Sequence, residues 1–418
     1  MRWLYIVVSY LLLTLMLPFL MLYRKTRSGL KERFGFYPKW NTAEGARIWL
    51  HGASAGDLLA LSPMIILLRE QFPGALIVVS TITNTGHLIA TGRLAHLIDK
   101  VIYAPYDLWG ATRRAVRAIK PDLLILEYTE IWPNLIRAVK RAGGKIALSN
   151  GRFSPEHFRR YQMLFGLIGN PLKDIDLFLM READEAERAL TLGAAPATVQ
   201  VTGNTKFDAL VSFAPPVDPQ SLGDLWGPAK SRSLWIAGST HEGEEEIIIE
   251  VFRRLLLTFP TLHLIIAPRY LERASRVAHL VELAGLSVGL RSRQEINSRV
   301  IILDTMGELS SAYGVATLVF VGGSFTRRGG QNILEPAAHG KPVLFGPHME
   351  NFHDSVQVLI GRGGIQVKDA DHLYRVMKDL LSKPKAIEDL GIMAREAVGQ
   401  ISGASARNVQ AFRKLLKI

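Results

Sequence analysis

The sequence predicts an α/β protein built from two doubly wound, parallel-sheet halves. Three observations predict it. Short apolar runs rich in Val, Ile and Leu alternate with helical stretches along most of the chain. Such runs read as strands buried on both faces, which need helices on either side of the sheet. At 418 residues the chain is too long for one ordinary domain, and a proline-rich break divides it near the middle.

The first element is apolar. Leu4 to Tyr23 (LYIVVSYLLLTLMLPFLMLY) is about one bilayer span at helical rise. Arg24, Lys25, Arg27, Lys31 and Arg33 follow it, against only Arg2 before it. That asymmetry predicts a single membrane anchor over residues 1–24 and places the bulk of the protein in the cytoplasm. Two alternatives stay open. One is a cleavable signal peptide, although the run is long for one and no small-x-small site precedes the cationic cluster. The other is a helix lying in the interface, since Pro18 would kink a span. Phe34, Phe36, Tyr37 and Trp40 read equally as an interfacial aromatic belt or as core.

The first half, residues 25–212, offers strands at Arg47–Leu50, Leu76–Ser80, Val101–Ala104, Leu123–Leu126, Lys145–Leu148, Leu177–Met180 and Val199–Val201. Phe213–Gln220 (FAPPVDPQ) has the composition of a linker. The second half, residues 221–418, repeats the rhythm at Leu234–Ala237, Leu262–Ala267, Val300–Leu303, Leu318–Val321, Val343–Phe345 and Gly364–Val367. Two Rossmann-like halves joined by a short linker, with a cleft between them, is the GT-B layout. It puts an acceptor against the first half and a nucleotide-sugar donor against the second.

Composition narrows the chemistry. Without cysteines there are no disulfides, thiolate nucleophiles or Cys-based metal sites. A formal charge of +12 suits an anionic membrane surface, phosphorylated substrates or nucleic acid. No zinc knuckle, RNA-binding signature or long Lys/Arg run supports nucleic acid, so none is expected as a partner.

Doubly wound sheets bind ligands beyond the carboxyl ends of their strands. There the first half carries HGASAGD (His51 to Asp57), EYTEIWPN (Glu127 to Asn134) and TGNTKFD (Thr202 to Asp208). The second half carries GSTHEGEEE (Gly238 to Glu246), APRYLER (Ala267 to Arg273), DTMGEL (Asp304 to Leu309) and GGSFTRRGGQNILEPAAHG (Gly322 to Gly340). In the last, glycines let backbone amides approach a ligand, and a helix start beside them offers unpaired N–H groups to an anion. Glu335, just inside that helix, is placed to take a ribose hydroxyl. His241 with Glu242 and Glu244 to Glu246 reads as a loop entering a helix with acids in its first turn, a capping pattern, rather than as a metal site.

These seven segments, in this order, resemble the bacterial Kdo (3-deoxy-D-manno-octulosonic acid) transferases of lipopolysaccharide synthesis, from Lys31 to about Asp369. The resemblance implies a GT-B fold, an inner-membrane anchor, CMP-Kdo as donor and a phosphorylated lipid A precursor as acceptor. It implies CMP contacts at Pro268 and Arg269, at Met306, Gly307 and Glu308, and at Asn332, Ile333, Leu334 and Glu335. Arg269 is suited to a bidentate pair with the single phosphate of CMP. That cation and the helix dipoles can balance the leaving group, so no metal or other cofactor is demanded and inverting, metal-independent transfer is expected.

The acceptor side departs from the family. The family's HxxSxGE segment ends in a glutamate that serves as base. Here the position is Asp57, about one CH₂ shorter. The first glutamate of the family's ETELWPN-like segment is Tyr128 here, and Glu127, on a strand end, is expected to point the other way. Lys206 matches the family's lysine and can steady the Kdo carboxylate or the departing phosphate; a solvated loop lysine is the lesser alternative. The expected catalytic set is Asp57 as base, Tyr128 supplying a hydroxyl, and Lys206. The alternatives are a divergent paralogue moving a CMP-linked acidic sugar to another acceptor, and a catalytically silent CMP-sugar-binding membrane subunit.

Overall fold

A computed structural model describes residues 2–22, 28–38, 40, 45–211, 233–295 and 297–417. The expected linker Phe213–Gln220 lies outside the described residues. The chain forms two compact units, Met1–Ala209 with Ser402–Ile418, and Leu210–Ile401.

The first unit is a seven-stranded parallel sheet: β1 Arg47–His51, β2 Leu76–Thr81, β3 Lys100–Tyr103, β4 Leu123–Glu127, β5 Lys145–Gly151, β6 Leu177–Met180 and β7 Val199–Val201. Their spatial order is β3-β2-β1-β4-β5-β6-β7. Successive residues serve opposite faces, which is why the strands are apolar throughout. Trp49, Val78 and Leu124 enter one core, while Ile48, Leu50, Ile77, Val79, Leu123 and Ile125 enter the other.

The second unit repeats the plan with β8 Leu234–Thr240, β9 His263–Pro268, β10 Val288–Leu290, β11 Val300–Ile302, β12 Leu318–Val321, β13 Val343–Phe345 and β14 Gly364–Gln366, ordered β10-β11-β9-β8-β12-β13-β14. Among the described residues thirteen of the fourteen strands coincide with apolar runs in the sequence; β10 does not, because it is a three-residue edge strand with Gly289 at its centre. Several strands run past their apolar stretch into polar residues. β1 takes in His51, β4 Glu127 and β8 Ser239 and Thr240.

The tail departs from the expected second domain. The Ala404–Leu416 helix packs Val409, Ala411 and Phe412 into the first unit's core with Leu61 and Ile65. Asp208 receives its opening amides, from Gly403 N at 2.6 Å and Ser405 N at 2.5 Å. The second unit therefore ends at Ile401 rather than at the C-terminus.

Arg2–Leu22 is helical. It is tied to the first unit by Tyr5 Oη, which donates to Asp107 Oδ2 at 2.7 Å, and by Tyr10 Oη, which accepts from Gly110 N at 3.1 Å. Trp3, Leu4, Val7, Leu11 and Leu15 of this helix are exposed. Among the described residues no helix is long and apolar enough to cross a membrane. Arg33 is not one of a flanking set of surface cations. It is buried, donates to the carbonyls of Ser28 and Ile82, and lies 4.6 Å from the centre of the Tyr103 ring. The aromatic segment divides as well: Tyr37 and Trp40 pack on the core while Phe36 is exposed.

Candidate active site in two halves

The strand order reverses between β1 and β4 in the first unit and between β8 and β12 in the second. Loops leaving neighbouring strands at such a reversal diverge, and the crevice between them is where doubly wound sheets bind ligands. HGASAGD and EYTEIWPN flank the first crevice; GSTHEGEEE and the glycine-rich stretch flank the second.

In the first unit, Ser54 caps the Ala55–Gln71 helix and Asp57 completes a capping box. Asp57 Oδ2 accepts from Ser54 N at 2.8 Å, and Ser54 Oγ accepts from Asp57 N at 3.4 Å. Among the described residues nothing donates to Asp57 Oδ1. At the end of β4, Tyr128 adopts a left-handed backbone, φ 55°, and half-buries its ring. Burial first, then the charges of Glu127 and Asp57, push its hydroxyl up to about 12, so it is a proton donor at neutral pH.

Glu127 does not point away from this site. It is fully buried, accepts from Thr205 Oγ1 at 3.2 Å and lies within electrostatic reach of Asp57 and Tyr128. Among the described residues its Oε2 has no hydrogen-bond partner within bonding distance, and neither has either polar atom of the buried Asn150 amide beside it. Burial pushes the Glu127 carboxyl up to about 8, only partly offset by the nearby polar groups of Asn150, Ser149 and Thr205.

His51 and Glu130 form a relay that the sequence reading missed. His51 is buried, with Nδ1 2.9 Å from Ser80 Oγ and Nε2 3.3 Å from Glu130 Oε2. Ser80 Oγ also accepts from Trp49 Nε1, and Glu130 Oε2 from Trp132 Nε1. An ionised carboxylate only accepts, so Nε2 carries a proton toward Glu130, while Nδ1 also lies 3.2 Å from Ser80 O. Burial pulls the Glu130 carboxyl upward, but the bonds from His51 and Trp132 outweigh it and leave the pKa lowered. The pairing HGAS with TEIW carries a signal, a histidine and a glutamate at the ends of two strands that prove to be neighbours. Lys206 sits half-buried in the first turn of the Thr205–Val211 helix, with its backbone N bonded to Asn204 Oδ1 at 3.0 Å.

In the second unit, Pro268 ends β9 and Arg269 follows it, exposed, its backbone N bonded to Thr240 O at 2.9 Å. The Arg269 guanidinium has no ion pair among the described residues. Met306 is 85% exposed, and Gly307 has φ 85° with nothing near the position a Cβ would take. Glu308 is engaged instead, by Arg291 Nη2 at 2.9 Å and by Thr305 Oγ1.

Two expectations for the glycine-rich stretch change. The amides of Gly323, Ser324 and Phe325 do not stand open to a ligand; all three donate to Glu244. The following helix, Leu334–Ala338, is 5 residues long, too short to carry a useful dipole. Asn332 is a local brace, its Oδ1 accepting from Leu334 N at 3.0 Å and its Nδ2 donating to Leu210 O at 2.8 Å. Ile333 and Leu334 are buried, so only their backbone can meet a ligand. Burial raises the Glu335 carboxyl, partly offset by Ser310.

Comparison with known proteins gives the family. Residues 28–209 match a family profile described as 3-deoxy-D-manno-octulosonic-acid transferase. The 3-deoxy-D-manno-octulosonic acid transferase of Haemophilus influenzae is 33% identical over 396 residues, covering 94% of this chain and 92% of its own. That of Chlamydophila psittaci is 31% identical, covering 86% and 83%. A solved UDP-GlcNAc 2-epimerase from Neisseria meningitidis superposes with a TM-score of 0.56 at 14% identity, over 88% of this chain and all of that one, a likeness of fold alone. The chain belongs to the 3-deoxy-D-manno-octulosonic acid (Kdo) transferase family, and is a glycosyltransferase.

Proposed function

We propose that this Kdo transferase takes Kdo from CMP-Kdo and passes it to a phosphorylated lipid A precursor, with inversion and without a metal. The observation that carries the reading is Asp57. It stands in the first turn of the helix after β1, at the reversal of strand order, with one carboxylate oxygen held by Ser54. The other oxygen is the one to take a proton. In the reaction the acceptor hydroxyl oxygen bonds to the anomeric carbon of Kdo and its proton passes to Asp57. The bond from that carbon to the phosphate oxygen breaks, and CMP leaves with the electron pair. Tyr128 donates a hydrogen bond to the developing negative charge, and Lys206 and Arg269 balance the Kdo carboxylate and the phosphate. Pro268, Met306 to Glu308 and Asn332 to Glu335 line the nucleotide side.

The exposed apolar face of the Arg2–Leu22 helix supports attachment to the inner membrane, and the excess of cations after this helix in the sequence favours a cytoplasmic side for both units. One observation favours a second reading. Tyr128, where the family has a glutamate, changes the acceptor-side chemistry and suits a different acceptor for the same donor.

Incubation with CMP-Kdo and tetraacyl lipid A precursor tests both. Product is expected, with kcat reduced about 10²- to 10⁴-fold in Asp57→Ala. CMP binding without transfer to any lipid A precursor sinks the first reading and favours the second.

A further inference from the structure

Four backbone amides converge on one side chain in the second unit. Glu244 opens the Glu244–Leu256 helix and is fully buried. Its Oε2 accepts from His241 N at 2.9 Å and Gly323 N at 2.7 Å; its Oε1 accepts from Ser324 N at 3.0 Å and Phe325 N at 2.9 Å. Consecutive amides curled toward one point form an anion-binding concavity of the kind that holds phosphate. Here the anion is the protein's own carboxylate.

The seat lies at the reversal between β8 and β12, and it joins the two loops that leave those strands. Gly322 is required for the approach: a Cβ there would lie 2.6 Å from Thr240 Cα and 2.8 Å from Glu244 Oε2. Beyond the seat the same loops carry His241 and Gln331, whose Nε2 atoms are 3.4 Å apart. Arg269 and Arg328 both bear electrostatically on His241.

We propose that Glu244 is a positioning residue for donor binding, an internal anion that closes the glycine-rich loop in its binding shape before any ligand arrives. The inference rests on the reading of the second unit as the CMP-sugar half. It follows that the phosphate of the donor is met by side chains such as Arg269 and Arg328, not by the amides of Gly323 to Phe325. Each carboxylate oxygen takes two N–H bonds, so a glutamine must aim its own N–H₂ at two donors. Aspartate is one CH₂ too short to reach all four.

The test uses the full-length protein. Glu244→Gln is expected to raise the KM for CMP-Kdo by about tenfold or more and to leave the KM for the lipid acceptor unchanged. Glu244→Ala, which leaves the four amides facing an opening, is expected to regain donor affinity when formate is added. A wild-type donor KM in Glu244→Gln overturns the proposal. So does a loss confined to folded fraction, with both KM values unchanged and no response of Glu244→Ala to formate. Wild-type protein that binds no CMP overturns the donor reading itself, whereas CMP bound equally by wild type and Glu244→Gln overturns only the role of Glu244.

Discussion

Each sheet reverses its strand order once, and at each reversal stands a fully buried glutamate, Glu127 at the end of β4 and Glu244 just after β8. Their surroundings are opposite. Glu244 has four amide donors shared evenly between its oxygens. Among the described residues Glu127 has one hydrogen bond within bonding distance, from the Thr205 hydroxyl at 3.2 Å, none to its Oε2, and Asp57 as an electrostatic neighbour. Amides can replace the water that a buried carboxylate loses; one hydroxyl cannot, and the group keeps its proton instead. The second reversal is therefore a finished anion seat that shapes a loop. The first holds a neutral acid and polar atoms without protein partners, beside the residues that depart from the family.

Glu127→Gln gives the largest separation between the two. The Glu127 pKa rises from an ordinary 4.5 to about 8, so the folded chain binds that proton more tightly than the unfolded chain. Between those values raising the pH removes a proton only from the unfolded state, and stability falls; above about 8 the loss is complete, and below about 4.5 it is absent. Glutamine keeps the neutral shape and removes the loss. Glu127→Gln is expected to be more stable than wild type at pH 8 by on the order of a few kcal/mol, with the gain shrinking toward acid. Urea unfolding over a pH series measures it. Destabilisation at every pH breaks the comparison.

The fold was legible because parallel strands buried on both faces must be apolar, and thirteen such runs stand out. The return of the Ala404–Leu416 helix to the first unit was not, since an amphipathic helix does not say which core takes it. Asp208 in TGNTKFD is its cap, a pairing across almost two hundred residues that no local pattern reports. At the site, the segments were legible and the orientations were not. Strand alternation alone points Glu127 the other way from Tyr128, but Tyr128 turns left-handed and ends the alternation there. From sequence the glycines after β12 look open to a ligand, because Glu244 lies 79 residues away from Gly323 in the chain.

Tyr128→Phe sharpens the first crevice. The hydroxyl stays protonated up to about 12, so its contribution is a hydrogen bond and not a charge. Removing it is expected to lower kcat about tenfold to a hundredfold with little change in the KM for CMP-Kdo, and to leave the pH profile in place. An unchanged kcat removes Tyr128 from the chemistry and leaves Asp57 as the acceptor-side group.

Ser54→Ala has the smallest expected effect, and it separates the two duties of Asp57. The capping box joins Asp57 to Ser54 twice, through the Ser54 hydroxyl at 3.4 Å and through the Ser54 backbone N–H at 2.8 Å. Alanine removes the first bond, the longer one, at a cost of about 1 kcal/mol in stability. It keeps the second, which is the bond that orients the carboxylate. Stability should therefore fall while kcat stays within about threefold of wild type. A kcat loss near that of Asp57→Ala would show that the hydroxyl holds Asp57 in its working position, and that a base one CH₂ shorter than the family's depends on its cap for reach.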